Sequence, residues 1–142
     1  MKKVVLILIV LYFGLIASKG SNTNGSEMQP QKDKVEVLYF HGKQRCATCM
    51  AIERETKAVI NKQFANAIKN KKLKFHVIDI SKAQNEAIAK KHEITWSSLV
   101  IVKYKNGKEQ VENITRFAFA NARNKPDIFR NELTQKLNEL LK

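Results

Sequence analysis

Cysteine and proline are scarce here, with two of each in 142 residues. Two cysteines are too few for a disulfide-stapled miniprotein or a four-cysteine zinc module. The prolines are Pro30 and Pro126, so every turn between them is made without one. Acidic residues are also few: 13 Asp and Glu face 26 Lys and Arg, for a net charge of +13. That excess raises nucleic acid and an anionic membrane as partners. A nucleic-acid site wants aromatics interleaved with the basic residues, or a recognisable module, and neither is present. The lysine clusters at 69–74 (KNKKLK) and at Lys90-Lys91 therefore read as solvated surface near helix ends, and no nucleic-acid partner is expected. Hydrophobic residues at 44% and charged residues at 27% are ordinary for a globular chain and exclude wholesale disorder. Internal repeats are absent.

One long apolar run exists, Val4 to Ala17, after Lys2 and Lys3. As a helix it would reach roughly 21 Å, short of the ~30 Å hydrocarbon core of a bilayer. A charged start, a short apolar stretch and then Ser18, Gly20 and Ser21 describe a secretory signal peptide over residues 1–20, or an uncleaved membrane anchor. Residues 21–33, polar and carrying Pro30, form a flexible linker. The expected protein is exported, periplasmic or extracellular, and touches a membrane only through the N-terminal segment, residues 4–17.

Residues 34–142 alternate in period. Val35–Phe40 (VEVLYF) is a short strand rich in β-branched and aromatic residues. From Cys46 to about Ile68 the period is helical, with Cys49, Ile52, Thr56, Val59, Ile60, Phe64 and Ala67 on one face. Leu73–Ile80 alternates as a strand, with Leu73, Phe75 and Val77 on one side. Ser81 is placed as the cap of a helix from Lys82 to His92. Leu99–Val102 (LVIV) reads as a fully buried strand, and Asn106-Gly107 supplies the two positive-φ residues of a tight hairpin whose return strand runs to about Thr115. A loop follows. Pro126 then sits at a favoured first helical position, ahead of a stripe of Ile128, Phe129, Leu133, Leu137, Leu140 and Leu141. The order βα, βα, ββα predicts one α/β domain: a central mixed sheet of about four strands flanked by helices.

Cys46-Ala47-Thr48-Cys49 falls just after the first strand and at the start of the first long helix. In the first turn, Cys46 meets unsatisfied backbone N–H groups and the positive end of the helix dipole, both of which favour a thiolate. Lys43, Arg45 and His41 stand as thiolate-stabilising neighbours. Such surroundings bring a cysteine from ~8.5 to somewhere between about 3.5 and 7.5. Cys49, one turn on and on the buried face, is placed to resolve what Cys46 attacks. A structural zinc site would want four ligands, and His41, His76 and His92 are scattered over separate elements. A purely structural disulfide over so small a loop would gain little chain entropy.

The strand VEVLYF, then HGKQRCATC opening a helix, then a βα unit and an Asn-Gly hairpin, resembles the thioredoxin-like family over about residues 34–141. The stretch YFHGKQRCATCMAIE is similar to a small branch of secreted thioredoxin-like proteins found beside bacterial arsenic-resistance genes, some labelled as a subunit of a nitrophenyl-compound nitroreductase. The resemblance implies a thioredoxin-like fold and redox chemistry at Cys46 and Cys49. Three departures stand out. Arg45 precedes the first cysteine where the family usually has an aromatic residue. Phe40 holds the place of the family's buried acid, and Glu36, the one carboxylate on that strand, reads as solvated. The family's cis-proline before the third strand is replaced by Ser98, or by Ser97 in a shorter loop, and a trans peptide is expected there because a non-proline cis bond costs about 2.5–4 kcal/mol.

Trp96, Ser97 and Ser98 form the loop expected to face the cysteines and substrate. Phe117 and Phe119 alternate before the last helix, where core and site rim are both open readings. Asn113-Ile-Thr115 fits a glycosylation sequon, a pattern common by chance. The function expected is an exported thiol–disulfide oxidoreductase acting on protein or small-molecule thiols and disulfides, recharged by an unidentified redox partner. No bound cofactor is implied, since the pair itself carries two electrons. The alternatives are a dithiol module that captures a metal or arsenite between Cys46 and Cys49, and an accessory subunit of a larger reductase.

Overall fold

A computed structural model describes residues 33–142. The signal-peptide segment, and the linker apart from its last residue, lie outside the described residues. The chain runs β1 (Lys34–His41), α1 (Ala47–Gln63), α2 (Ala65–Lys69), β2 (Leu73–Asp79), a 3-10 turn (Ala83–Asn85), α3 (Glu86–Lys91), β3 (Ser98–Lys105), β4 (Lys108–Asn113), α4 (Thr115–Asn121) and α5 (Pro126–Leu140). The sheet order is β2-β1-β3-β4. β1 and β2 are parallel, with Val35 opposite Leu73 and His41 opposite Asp79, while β3 pairs antiparallel to both β1 and β4. This is the α/β arrangement that the thioredoxin-like resemblance implied: a four-stranded mixed sheet flanked by helices.

Alternation along β1 builds both layers of core. Val35, Val37 and Tyr39 face one side and pack with Ile52, Val59 and Ile60 of α1 and Phe129, Leu133 and Leu137 of α5. Leu38 and Phe40 face the other side, against Ile78, Ala89, Ile94, Val100 and Val102. β1 is thus covered on both faces, and β3 is buried from Ser98 to Val102 as its composition requires. β4 is exposed along its whole length and bears Lys108, Glu109 and Glu112, charges that discourage pairing with another edge.

The structure departs from the sequence reading at several places along the chain. The first helix stops at Gln63, because Phe64, its ring buried, leaves helical geometry (φ −120°, ψ 19°), and α2 follows from Ala65. Ser81 caps nothing. Its N–H and hydroxyl both bond the Asp79 carboxylate, 3.0 and 2.7 Å, closing a local turn, and the helix that follows is only Glu86–Lys91. Val77 is 43% exposed, since β2 is an edge strand that α2 covers only at its start. Glu36 is not solvated: its carboxylate bonds Lys34 Nζ at 2.7 Å, and both side chains are largely covered. Residues 115–121 form α4 where a loop was expected. Thr115 fixes that helix by receiving the Leu99 N–H at 2.9 Å, and Asn113 Oδ1 accepts the Thr115 N–H at 3.0 Å.

Helix ends and hairpin use positive φ with little glycine. Asn106 (φ 52°) and Gly107 (φ 72°) make the expected hairpin. Lys71 (φ 58°) and Glu93 (φ 56°) end α2 and α3 in the left-handed conformation usually given to glycine. The following N–H groups of Lys72 and Ile94 reach back to Ala67 and Ala89 carbonyls at 2.9 and 2.8 Å.

α1 and α5 are also joined through charge. Glu55, 4% exposed, accepts from Arg54 Nε at 2.8 Å and from Arg130 Nε at 2.7 Å. Burial pushes its carboxyl up, but the Arg130 and Arg54 hydrogen bonds outweigh burial and hold it below the ordinary value of 4.5. With the folded pKa below the unfolded one, the contribution to stability is complete above about pH 4.5 and is lost as pH falls through the folded value. Glu55→Gln should therefore cost about 1–2 kcal/mol at pH 7, a modest figure because both arginines remain partly solvated. Urea unfolding at neutral pH and near pH 3 should show that difference shrinking on acidification. A difference that is constant or grows would mean that the ion pair is not what Glu55 contributes.

Candidate redox site

Three elements converge on the cysteines. β1 ends at His41, and four loop residues carry the chain to Cys46, which caps α1 rather than lying inside its first turn. With φ −75° and ψ 163°, Cys46 is extended, and its sulfur receives the Cys49 N–H at 3.0 Å. The correction strengthens the electrostatic argument, because the capping position aims Sγ at the orphan N–H groups of the helix start. Cys46 and Cys49 are joined as a disulfide, with Cα atoms 5.0 Å apart. Cys46 is exposed, whereas Cys49 is 6% exposed. An attacking partner can reach only the first sulfur.

Below the pair, Tyr39 of β1 donates its hydroxyl to the Cys49 carbonyl at 2.7 Å. Burial raises the Tyr39 pKa against the pull of Arg45, so the phenol stays a protonated donor. Arg45 lies over the Tyr39 ring, 5.6 Å from its centroid, and pairs with Glu53 of α1. Burial disfavours the Arg45 charge, but Glu53 and Tyr39 more than restore it, so the guanidinium is held cationic. Its Nε is buried with no hydrogen-bond partner among the described residues. Glu53 is the functional neighbour that sequence reasoning missed, together with the Tyr39 hydroxyl. The signal was present in the spacing: Cys49 and Glu53 are four apart on a helix, hence on one face.

The other residues singled out are placed as follows. Lys43 is exposed and has no ion pair among the described residues. His41 Nδ1 donates to the Gly42 carbonyl at 2.9 Å and its ring tilts towards Tyr39, 6.0 Å between centroids, so it serves its own loop and bonds neither cysteine. Trp96 is 58% exposed and lies 5.4 Å, centroid to centroid, from Phe119 of α4. Ser97 is half-buried. Ser98 is buried opposite Phe40 in the β1–β3 register, and its hydroxyl donates to the Trp96 carbonyl at 3.1 Å. Peptide bonds are all trans among the described residues, as expected for serine in that position. Phe117 and Phe119 are both partly buried against the core; Phe117 stacks on Phe129 at 6.0 Å, and Phe119 also meets Trp96. Phe40 is fully buried on the opposite face of β1, and the β1 side chain that meets Cys49 is Tyr39, so β1 puts a phenol rather than an acid there. No group of three or more His, Cys, Asp or Glu side chains able to hold a metal ion occurs among the described residues, so a metal at this site would have the two sulfurs as its ligands.

No protein-family model and no curated protein matches the chain. Among solved structures, it is similar to thioredoxin-2 of the malaria parasite, a component of that parasite's protein secretion machinery: 19% identity, 75% of this chain and 84% of that one, TM-score 0.48. It is also similar to an uncharacterised thioredoxin-like protein from Clostridium perfringens, at 16% identity over 77% of this chain and 73% of that one, TM-score 0.49. A thioredoxin from Thermus thermophilus is similar at 12% identity over 73% and 74% of the two chains, TM-score 0.45.

Proposed function

We propose that the chain is an exported thiol–disulfide oxidoreductase. The observation that carries this reading is the asymmetric pair: a disulfide across the start of α1 whose first sulfur is exposed and whose second is buried. In the reducing direction the Cys46 thiolate attacks a substrate disulfide. A Cys46–substrate bond forms as the substrate S–S bond breaks, and the first substrate sulfur leaves as a thiolate that takes a proton. Cys49, as thiolate, then attacks Cys46 Sγ and releases the second substrate sulfur. The protein ends oxidised by two electrons and the substrate reduced by two. The reverse sequence oxidises a dithiol. Protein or small-molecule thiols are the substrates, and a separate redox partner recharges the pair. Trp96 and Phe119 offer the apolar wall against which a substrate chain would lie, with Ser97 and Ser98 behind it. Lys43 and Arg45 supply the charge that favours the thiolate. Export rests on the sequence of residues 1–20.

The test is a redox titration of the Cys46/Cys49 couple against glutathione. A reversible two-electron couple is expected, and its position depends on Glu53. Removing that carboxylate leaves Arg45 uncompensated beside Cys46, which stabilises the thiolate and hence the dithiol. Glu53→Gln should make the couple more oxidising by about 10–30 mV, since 30 mV corresponds to ~1.4 kcal/mol and both side chains are partly screened. An unchanged or more reducing variant would show that local charge does not set the potential. A second reading, capture of arsenite or zinc by the dithiol, draws on the serines where a proline would cover the sulfurs. Stoichiometric binding to the reduced pair with no reversible couple would favour it. An accessory subunit would show neither.

A further inference from the structure

Between Glu55 and Asp79 the chain carries six lysines and no acid. The fold gathers that charge at one end. α1 runs back from the cysteines, α2 follows it, and Lys72, just past α2, accepts the Val35 N–H at 2.8 Å beside the start of β1. The antiparallel register brings Lys103 opposite Val35, with Lys105 beyond it. Lys142, at the end of the chain after α5, lines a small cavity there with Lys72, Lys103 and Lys105. Lys69, Lys72, Lys103, Lys105 and Lys142 have no ion pair among the described residues. The nearby acids are each engaged: Asp33 accepts the Asn106 N–H, Glu36 holds Lys34, and Glu139 accepts from Gln135. Ile68, next to Lys69 in the chain, is exposed over a groove of about 380 Å³ that Lys57, Lys71 and Lys74 line and that also reaches Phe75.

Two further facts give this surface a direction. The cysteines follow the far end of β1, and its eight residues separate the two ends by about 23 Å at ~3.3 Å per residue. The chain also enters the domain at Asp33 and Lys34, on the lysine-rich end, with the apolar run Val4–Ala17 upstream. We propose that this end docks on an anionic phospholipid surface, with Ile68 against the headgroup boundary and the lysines over the lipid phosphates. Membrane contact then extends beyond the N-terminal segment, and the Cys46 end faces away from the bilayer, open to partners. An unpaired cationic patch beside an exposed apolar side chain fits a broad anionic surface. An acidic peptide is the rival occupant, but it would be served better by lysines near the cysteines than by lysines more than a Debye length away.

The experiment is co-sedimentation of the full chain with phosphatidylcholine vesicles, with and without phosphatidylglycerol. The N-terminal run contributes to both, so the difference between them is the readout. Wild type should bind the anionic vesicles on the order of tenfold more tightly, and salt should remove the difference. Lys69→Glu/Lys72→Glu/Lys105→Glu should abolish the preference while leaving binding to neutral vesicles unchanged. The milder Lys69→Gln/Lys72→Gln/Lys105→Gln should reduce it, and serves if charge reversal impairs folding. The glutathione couple should not move in either variant, so failure of docking and failure of the redox reading are distinguishable. Equal binding to both vesicles, or variants that retain the preference, would overturn the proposal. So would variants that lose reduction of an acidic disulfide peptide when wild type shows no vesicle preference.

Discussion

Reduced protein treated briefly with an alkylating agent at mildly acidic pH is expected to lose Cys46 at least about tenfold faster than Cys49. Three effects combine. Cys46 is exposed and Cys49 is covered, so only one sulfur meets the reagent. The Cys49 N–H, which already points at Cys46 Sγ, stabilises a thiolate there, and the dipole of the 17-residue helix α1 adds to it. Arg45 contributes a further, partly compensated, positive charge. Cys49 has its own carbonyl tied to Tyr39 and is surrounded by core, which disfavours charge. In exchange with a disulfide substrate, Cys46→Ser should therefore lose activity by orders of magnitude and trap nothing. Cys49→Ser should accumulate the Cys46–substrate mixed disulfide. Equal labelling of the two cysteines, or trapping by Cys46→Ser, would reverse the assignment of attacking and resolving roles.

What the sequence disclosed about this site follows from period and position. The strand at 35–40, the buried strand at 99–102, the Asn106-Gly107 hairpin and the Pro126 helix start are all local signals, and the structure contains each. Cys46 and Cys49 were legible for the same reason: a two-residue spacing at a strand-to-helix junction is a local pattern. The misses turn on side-chain contacts that period does not encode. α4 forms because Thr115 bonds Leu99, sixteen residues away and on a neighbouring strand, and no propensity in TRFAFAN announces that contact. Glu36 was read as solvated because strand alternation fixes which face a residue occupies but not what covers its tip. Ser81 has the place of a cap before a helical period, yet Asp79, two residues earlier, takes the hydroxyl that a cap would offer to the helix. The ion pair of Arg45 and Glu53 lies between: helical spacing aligns Glu53 with Cys49, but only the fold of the preceding loop brings Arg45 across to it.

Phe129→Ala should produce the largest loss of stability of any single side-chain truncation that leaves the redox pair untouched. The ring is fully buried between α1 and the sheet and stacks on Phe117. Removing it forfeits the transfer free energy of the ring and leaves a cavity that Leu133, Leu137, Val59 and Ile60 can only partly close, for about 3–5 kcal/mol. Against a stability of roughly 5–15 kcal/mol typical of such domains, that is about a fifth of the total or more. The urea midpoint should fall with the slope unchanged, because the surface exposed on unfolding barely alters. The chemistry should not follow. Cys46 is held by the first turn of α1, through the Cys49 N–H and the Tyr39 bond to the Cys49 carbonyl, and Phe129 takes part in neither bond. Below the unfolding transition the variant should keep the wild-type preference for labelling Cys46. If selectivity collapsed together with stability, the geometry of the pair would depend on the α1–α5 packing as a whole, and the local account of the thiolate would be wrong.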